Sequence, residues 1–215
     1  CCAAAAAGGA VAALIVGRFL FGKADLTMLL NGALAGLVTI TAEPSTPTAL
    51  TATLFGAIGG VLAAMLARSG RDVIGIARGA QLDAVRAGGL RVRAPEMDDV
   101  VKFPCVGAPS EIAFRPDDVI FLTMKTQDTK QALEDLRKCG VSEQAIVCTQ
   151  NGIENEKLAL RIFRNVYAAV VMMPADFVKP GEVVTNCSPK LGVFNIGRYP
   201  RGVDPVVEKI CSALD

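Results

Sequence analysis

A few residues in this chain stand where chemistry could be done. Gly56 and Gly59, with Gly60 behind them, fall in the string LFGAIGGVLAAMLAR. A glycine turn at the start of a helix lets backbone come close to a pyrophosphate, and the free N–H groups and dipole there favour an anion. Arg78 closes the run VIGIAR, about 20 residues past the glycines. An acid at that place would suit the ribose 2′-OH of NAD. An arginine suits the 2′-phosphate of NADP. Lys125 follows the apolar run DVIFLTM, and Asn151 follows AIVCTQ. In open parallel sheets the ligand sits beyond the carboxyl ends of the strands, so Arg78, Lys125 and Asn151 are expected to converge at one rim. Taken singly, each reads more readily as a solvated loop residue. Glycine-rich turns also occur in many proteins that bind no nucleotide, and G-x-G-x-x-G would place its first glycine where this chain has Leu54.

The elements that must position these residues are written in alternation. Ala49 to Phe55, ALTATLF, serves as a first strand running into the glycine turn. A helix follows, with Val61, Leu62, Met65 and Leu66 on its packing face and Gly70 placed to stop it. Val73, Ile74 and Ile76 form the strand that ends at Arg78. Gln81 to Ala87 is a short helical stretch, and Leu90 to Arg93 and Val100 to Val106 are strands. Asp118 to Met124 is a buried strand. Thr129 to Cys139 is an amphipathic helix with Ala132, Leu133 and Leu136 inward. Ala145 to Thr149 is another buried strand, Asn155 to Phe163 is helical, and a last helix runs from Pro205 to Leu214. Such alternation predicts a Rossmann-like α/β fold, a doubly wound parallel sheet.

Composition narrows the function. The 215 residues carry a net charge of +1, with basic groups scattered and no basic run interleaved with aromatics, so no nucleic-acid partner is expected. The chain has no histidine. That removes Ser–His–Asp and Cys–His catalysis and histidine metal sites, and no metal is expected. The seven cysteines form no C-x-x-C pair and read as reduced, mostly buried thiols.

The first 48 residues are written differently. Residues 1–60 hold only Arg18, Lys23, Asp25 and Glu43 as charges. Cys1 to Gly17 and Leu26 to Ala42 are two uncharged runs, read as two hydrophobic helices, and the second contains Gly32-x-x-x-Gly36. Both could also be buried helices of a water-soluble protein. If residues 1–48 insert, the chain associates with a membrane through them.

KADLTMLLNGALAGLVTITAEP, with the alanine-rich run before it, resembles the ammonium transporter family. The resemblance covers residues 1–48, or 1–60 with GAIGG. That family's pathway depends on paired pore histidines, which this chain lacks, so transport does not carry over. From about residue 56 to the end the chain resembles ketopantoate reductase (2-dehydropantoate 2-reductase), specifically its N-terminal NADP-binding domain. The pieces that carry this are GAIGG, the strand ending in Arg78-Gly79, LTMKTQDT and TQNGIENE. The resemblance implies a domain over 49–215 that works in the cytoplasm, binds NADP and takes a small-molecule 2-oxo acid. Gly56, Ala57, Ile58 and Gly59 would face the pyrophosphate, and Arg78 would hold the 2′-phosphate. Lys125 would lie along the cofactor near the nicotinamide. Asn151 would reach cofactor and substrate, and Ala175 would touch the cofactor by its backbone. The family's general-acid lysine lies in a helical C-terminal domain that no residue here matches, leaving Lys125 and Asn151 as the candidates near the reaction. GAIGGV suits either half, which points to a chimeric chain joined at that shared string. The alternative reading is an ammonium transporter fragment carrying the reductase-like part as a passenger.

Overall fold

The computed structural model describes residues 49–214, with side chains from Ala57 onward. The two hydrophobic helices expected within residues 1–48, and Cys1 and Cys2, lie outside the described residues.

The described chain runs α1 (Ala49–Arg68), β1 (Gly75–Ile76), α2 (Gly79–Gly88), β2 (Leu90–Ala94), β3 (Met97–Val101), β4 (Cys105–Val106), β5 (Val119–Leu122) and α3 (Thr126–Lys138). It continues with β6 (Ala145–Cys148), α4 (Glu154–Leu160), β7 (Val166–Met172), β8 (Ala175–Lys179), β9 (Glu182–Thr185), β10 (Val193–Arg198) and α5 (Pro205–Leu214). Strand and helix alternate through β5, α3, β6, α4 and β7, and β5, β6 and β7 pair in parallel. β10 adds to this sheet antiparallel to β7. A second sheet, in the order β3-β2-β9-β8, joins β2 and β9 in parallel and its outer pairs antiparallel.

The first strand is the main correction. Ala49 to Phe55 opens α1 instead of forming a strand, and the glycine string lies within that helix. Leu50, Ala52 and Leu54 are good helix formers, and although Gly56, Gly59 and Gly60 weaken the helix, no proline stands between them and VLAAMLAR to stop it. A doubly wound sheet places the strand before the glycine turn where the winding reverses. Without it, the parallel sheet is in two pieces, a pair β1-β4 and the run β5-β6-β7-β10. Among the described residues, β1 pairs only with β4 and β5 only with β6.

Smaller differences follow from local chemistry. Phe103-Pro104 interrupts the strand expected from Val100 to Val106, which divides into β3 and β4, because proline cannot donate to a ladder. The strand expected to end at Arg78 is paired only over Gly75 and Ile76. The packing face of α1 is built from smaller residues than its pattern suggested. Ala57, Val61, Leu62 and Ala64 are buried, whereas Met65 is 36% exposed. A Cβ on Gly60 would meet Leu90 at 3.1 Å and Val183 at 3.3 Å, so this stripe lets α1 lie close on β2 and β9.

The core has three parts. Ala57, Val61, Leu90, Val92 and Val183 hold α1 to the second sheet. Leu122, Leu133, Leu136, Ile146, Cys148, Ala159, Phe163 and Val166 fill one face of the parallel sheet under α3 and α4. Val147, Tyr167, Val207 and Ile210 pack α5 on the opposite face. All four residues of β6 are buried, as a parallel strand covered on both faces requires. Asp204 caps α5, accepting hydrogen bonds from the amides of Val206 and Val207 at 3.1 and 3.0 Å.

Candidate functional site

The residues singled out in sequence fall on two pieces of sheet. Lys125 and Asn151 lie together in the fold. Lys125 holds the N-cap position of α3, just past β5, with φ −68° and ψ 152°. Asn151 follows β6, the parallel neighbour of β5, and is exposed. Gly152 turns the chain there with φ +91°, a conformation that favours glycine.

The two loops are cross-braced from beneath. The Gln150 amide nitrogen donates to Thr129 Oγ1 at 3.0 Å. Thr129 Oγ1 donates to Asn155 Oδ1 at 2.9 Å, and Asn155 Nδ2 donates to Thr126 Oγ1 at 3.1 Å. Thr149 Oγ1 donates to the Leu122 carbonyl at 2.7 Å, clamping the ends of β5 and β6. Thr129 and Asn155 are fully buried, and Gln150 and Thr149 nearly so. Low dielectric strengthens such bonds and makes each unmade one expensive. The segments TMKTQDT and TQNGIENE are thus fixed to each other by buried side chains. Beneath them the Cys148 thiol is pushed up to about 12 by burial and by the charge of Glu156, so it is no nucleophile.

Gly59 joins this rim. A Cβ there would stand 2.4 Å from Thr123 Oγ1, one residue past β5. Only a glycine lets α1 approach so closely. The amides of Gly56 to Gly59 nevertheless lie inside α1 and not at its first turn. Within a helix such N–H groups are bonded to carbonyls four residues earlier. In this form they do not suit a pyrophosphate. Ala57 has no exposed surface, and Ile58 packs against the same core cluster, as does Ala175. Ala175 opens β8 and pairs with Thr185, so it lies on the second sheet and not in a loop.

Arg78 stands apart, on the β1-β4 piece. It is exposed, at the N-cap position of α2 with φ −131° and ψ 155°, and it makes no side-chain cap bond. Gly79 follows at φ +56°, turning the chain into the helix. An exposed guanidinium at the end of a parallel strand fits a phosphate group. The sequence reading missed Thr123, Thr129, Gln150 and Asn155. The signal for Thr129 was present: it lies four residues before Leu133 and seven before Leu136, a polar residue on an apolar stripe.

Comparison with known proteins identifies the family of the chain. The family model described as ketopantoate reductase PanE/ApbA matches residues 55–201. This chain belongs to that ketopantoate reductase family. Residues 1–77 also match the model of the ammonium transporter family, so the two matches overlap over 55–77. A 2-dehydropantoate 2-reductase of Archaeoglobus fulgidus is 32% identical over 130 residues, covering 60% of this chain and 41% of that protein. One from Pyrococcus abyssi is 30% identical over 160 residues, covering 74% of this chain and 51% of that protein. The chain thus spans about half the length of these relatives or less. Among solved structures, 2-dehydropantoate 2-reductase from Geobacter metallireducens superposes with a TM-score of 0.65 at 25% identity, over 74% of this chain and 52% of that one. D-mandelate dehydrogenase, solved in a ternary complex with NADH and anilino(oxo)acetate, gives the same TM-score of 0.65 at 24% identity, over 75% of this chain and 52% of that one, a likeness of fold. The passenger reading of the reductase-like part is therefore set aside. Among the described residues, no helix is long and apolar enough to cross a membrane.

Proposed function

We propose that residues 49–215 are the cofactor-binding half of an NADP(H)-dependent reductase acting on a small 2-oxo acid of the 2-dehydropantoate type. The observation that carries this reading is the placement of Lys125 and Asn151 just past the ends of the neighbouring parallel strands β5 and β6, in loops braced by Thr129, Gln150 and Asn155. When bound, the reduced nicotinamide supplies a hydride. Arg78 would hold the 2′-phosphate, Lys125 would lie beside the cofactor, and Asn151 would donate a hydrogen bond towards the reacting carbonyl. Gly56 to Gly59 and the Ala175 backbone would complete the cofactor contacts, which for the glycines requires α1 to begin later than it does here. Cofactor binding is accordingly expected to be weak.

Negative charge that develops on a reduced carbonyl must be stabilised or protonated as it forms. Asn151 can donate a hydrogen bond but no proton, and Lys125 is assigned to the cofactor. We read the chain as catalytically incomplete by itself. The overlap of the two family matches at residues 55–77 supports reading it as two coding sequences joined at GAIGG. Independent genomic clones that read through the junction unchanged would establish it as natural.

The test of the cofactor reading is a fluorescence titration with NADPH and with NADH. Arg78→Ala should weaken NADPH binding by roughly 1.5–3 kcal/mol, the range for hydrogen bonds to charged groups, and leave NADH nearly unchanged. Equal losses for both cofactors would remove Arg78 from the 2′-phosphate.

A further inference from the structure

Two buried side-chain atoms among the described residues lack a hydrogen-bond partner, Gln150 Oε1 and Glu156 Oε2. Both belong to the segment that carries Asn151, and each residue is 3% exposed. With Glu156 ionised, both atoms are acceptors, and no donor reaches either. Glu156 lies one helical turn before Ala159, which packs in the apolar cluster with Leu122, Leu133 and Cys148.

Among the described residues, no cation acts on the Glu156 carboxyl strongly enough to count among the causes of its shift. The elements packed on α4 are α3, β6 and β7. The residues α3 buries are Thr129, Leu133 and Leu136, none of them titratable. On β7, the buried Tyr167 donates to Asp204 at 3.1 Å and packs in the cluster on the opposite face. On β6, the Cys148 thiol senses the Glu156 charge. On α4 itself, Glu154 and Lys157 pair with each other at 3.1 Å at the surface. A buried carboxylate without a cation or a full set of donors is strongly disfavoured. A single proton changes the inventory, because it makes one of the two orphan acceptors a donor.

We propose that Glu156, when protonated, donates a hydrogen bond to Gln150 Oε1, closing the network that holds Asn151, so that Glu156 is a positioning residue of the site. This rests on the reading of Asn151 as a site residue. The direction of its acidity agrees: burial raises the Glu156 carboxyl above its ordinary value, against a smaller lowering by its own backbone amide.

The sign for stability follows. A group whose folded value is raised contributes stability in full below its unfolded value and loses it as pH rises through the folded value. The full chain should therefore become less stable as pH rises from the ordinary carboxylate range towards neutrality. Glu156→Gln, which carries a permanent donor in the same shape, should lose that slope. The Asn151 side-chain amide resonances should stay in place in Glu156→Gln and shift in Glu156→Ala. These readouts need no cofactor, so a failure to bind NADPH would count against the proposed function and leave this test standing. A slope unchanged in Glu156→Gln would overturn the bond from the protonated acid. Asn151 resonances unmoved in a folded Glu156→Ala would overturn its positioning role.

Discussion

Thr129 on α3 donates a hydrogen bond of 2.9 Å to Asn155 Oδ1 on α4, and neither residue has any solvent exposure. Thr129 Oγ1 also accepts from Gln150, so one hydroxyl serves two partners. Thr129→Val keeps the shape and removes the hydroxyl, which strands a donor and an acceptor in the interior. We expect a loss of about 1–3 kcal/mol, the penalty for unsatisfied buried groups, measured by urea unfolding. Thr129→Ser should recover most of it. In a double-mutant cycle with Asn155→Ala, the two losses should fail to add by about 0.5–3 kcal/mol. Additive losses would dissolve the link between the two loops.

Gly59→Ala tests the approach of α1 to β5. The added methyl would meet the Thr123 hydroxyl at 2.4 Å and its Cβ at 3.0 Å. Overpacking of this kind costs about 1–3 kcal/mol. Thr123→Ala should relieve part of that loss in the double variant, because Oγ1 is the nearest atom. A single variant as stable as the parent would mean that α1 is not seated on Thr123.

Asp204 is placed to govern acid stability. It accepts from Tyr167 Oη at 3.1 Å and from Arg198 Nη1 at 2.7 Å, besides capping α5. Burial alone would raise its carboxyl, but the bonds from Arg198, the Val207 amide and Tyr167 together outweigh burial and hold it below its ordinary value. A depressed folded value means stability that is present above the unfolded value and lost as pH falls through the folded one. Asp204→Asn should lose that acid-side slope, whereas Glu156→Gln acts on the neutral side. Asp204→Ala should also lose about 0.5–2 kcal/mol from the cap, read from unfolding at neutral pH.

The chain alone should not turn over 2-dehydropantoate. Oxidation of NADPH, followed by loss of the reduced nicotinamide absorbance, should stay at the background rate. It should rise when the C-terminal part of a related reductase is supplied in trans. Turnover of order 1 s⁻¹ or faster, within the ordinary enzyme range, would show that the proton donor is among these residues and that Lys125 is misassigned.

Much of the parallel sheet was legible, and the reasons are local. DVIFLTM and AIVCTQ are short apolar runs with polar punctuation, and Leu133 and Leu136 mark the inner face of α3. Pro205 announced α5 because proline suits the first turn of a helix. ALTATLF was not legible, because a short apolar run fits a strand or a helix equally well. Its state depends on whether neighbours offer a ladder or the next residues continue a helix. β8 and β10 find their partners by pairing, which local periodicity does not reveal. In the site, Lys125 and Asn151 were visible from their positions after strands. Asn155 was not, because its role comes from a threonine 26 residues earlier.

The division of the parallel sheet reaches beyond topology. β1 and β4 meet in two residue pairs, Gly75 with Cys105 and Ile76 with Val106. β6 is flanked by strands on both sides and covered on both faces. Amide protons of β6 should therefore exchange with solvent only when the whole domain opens, while those of β1 escape through local fluctuations. Arg78 rides on the looser piece and Asn151 on the tighter one. A ligand spanning the two would act as a stitch, and the slowing of exchange it brings should be largest at β1.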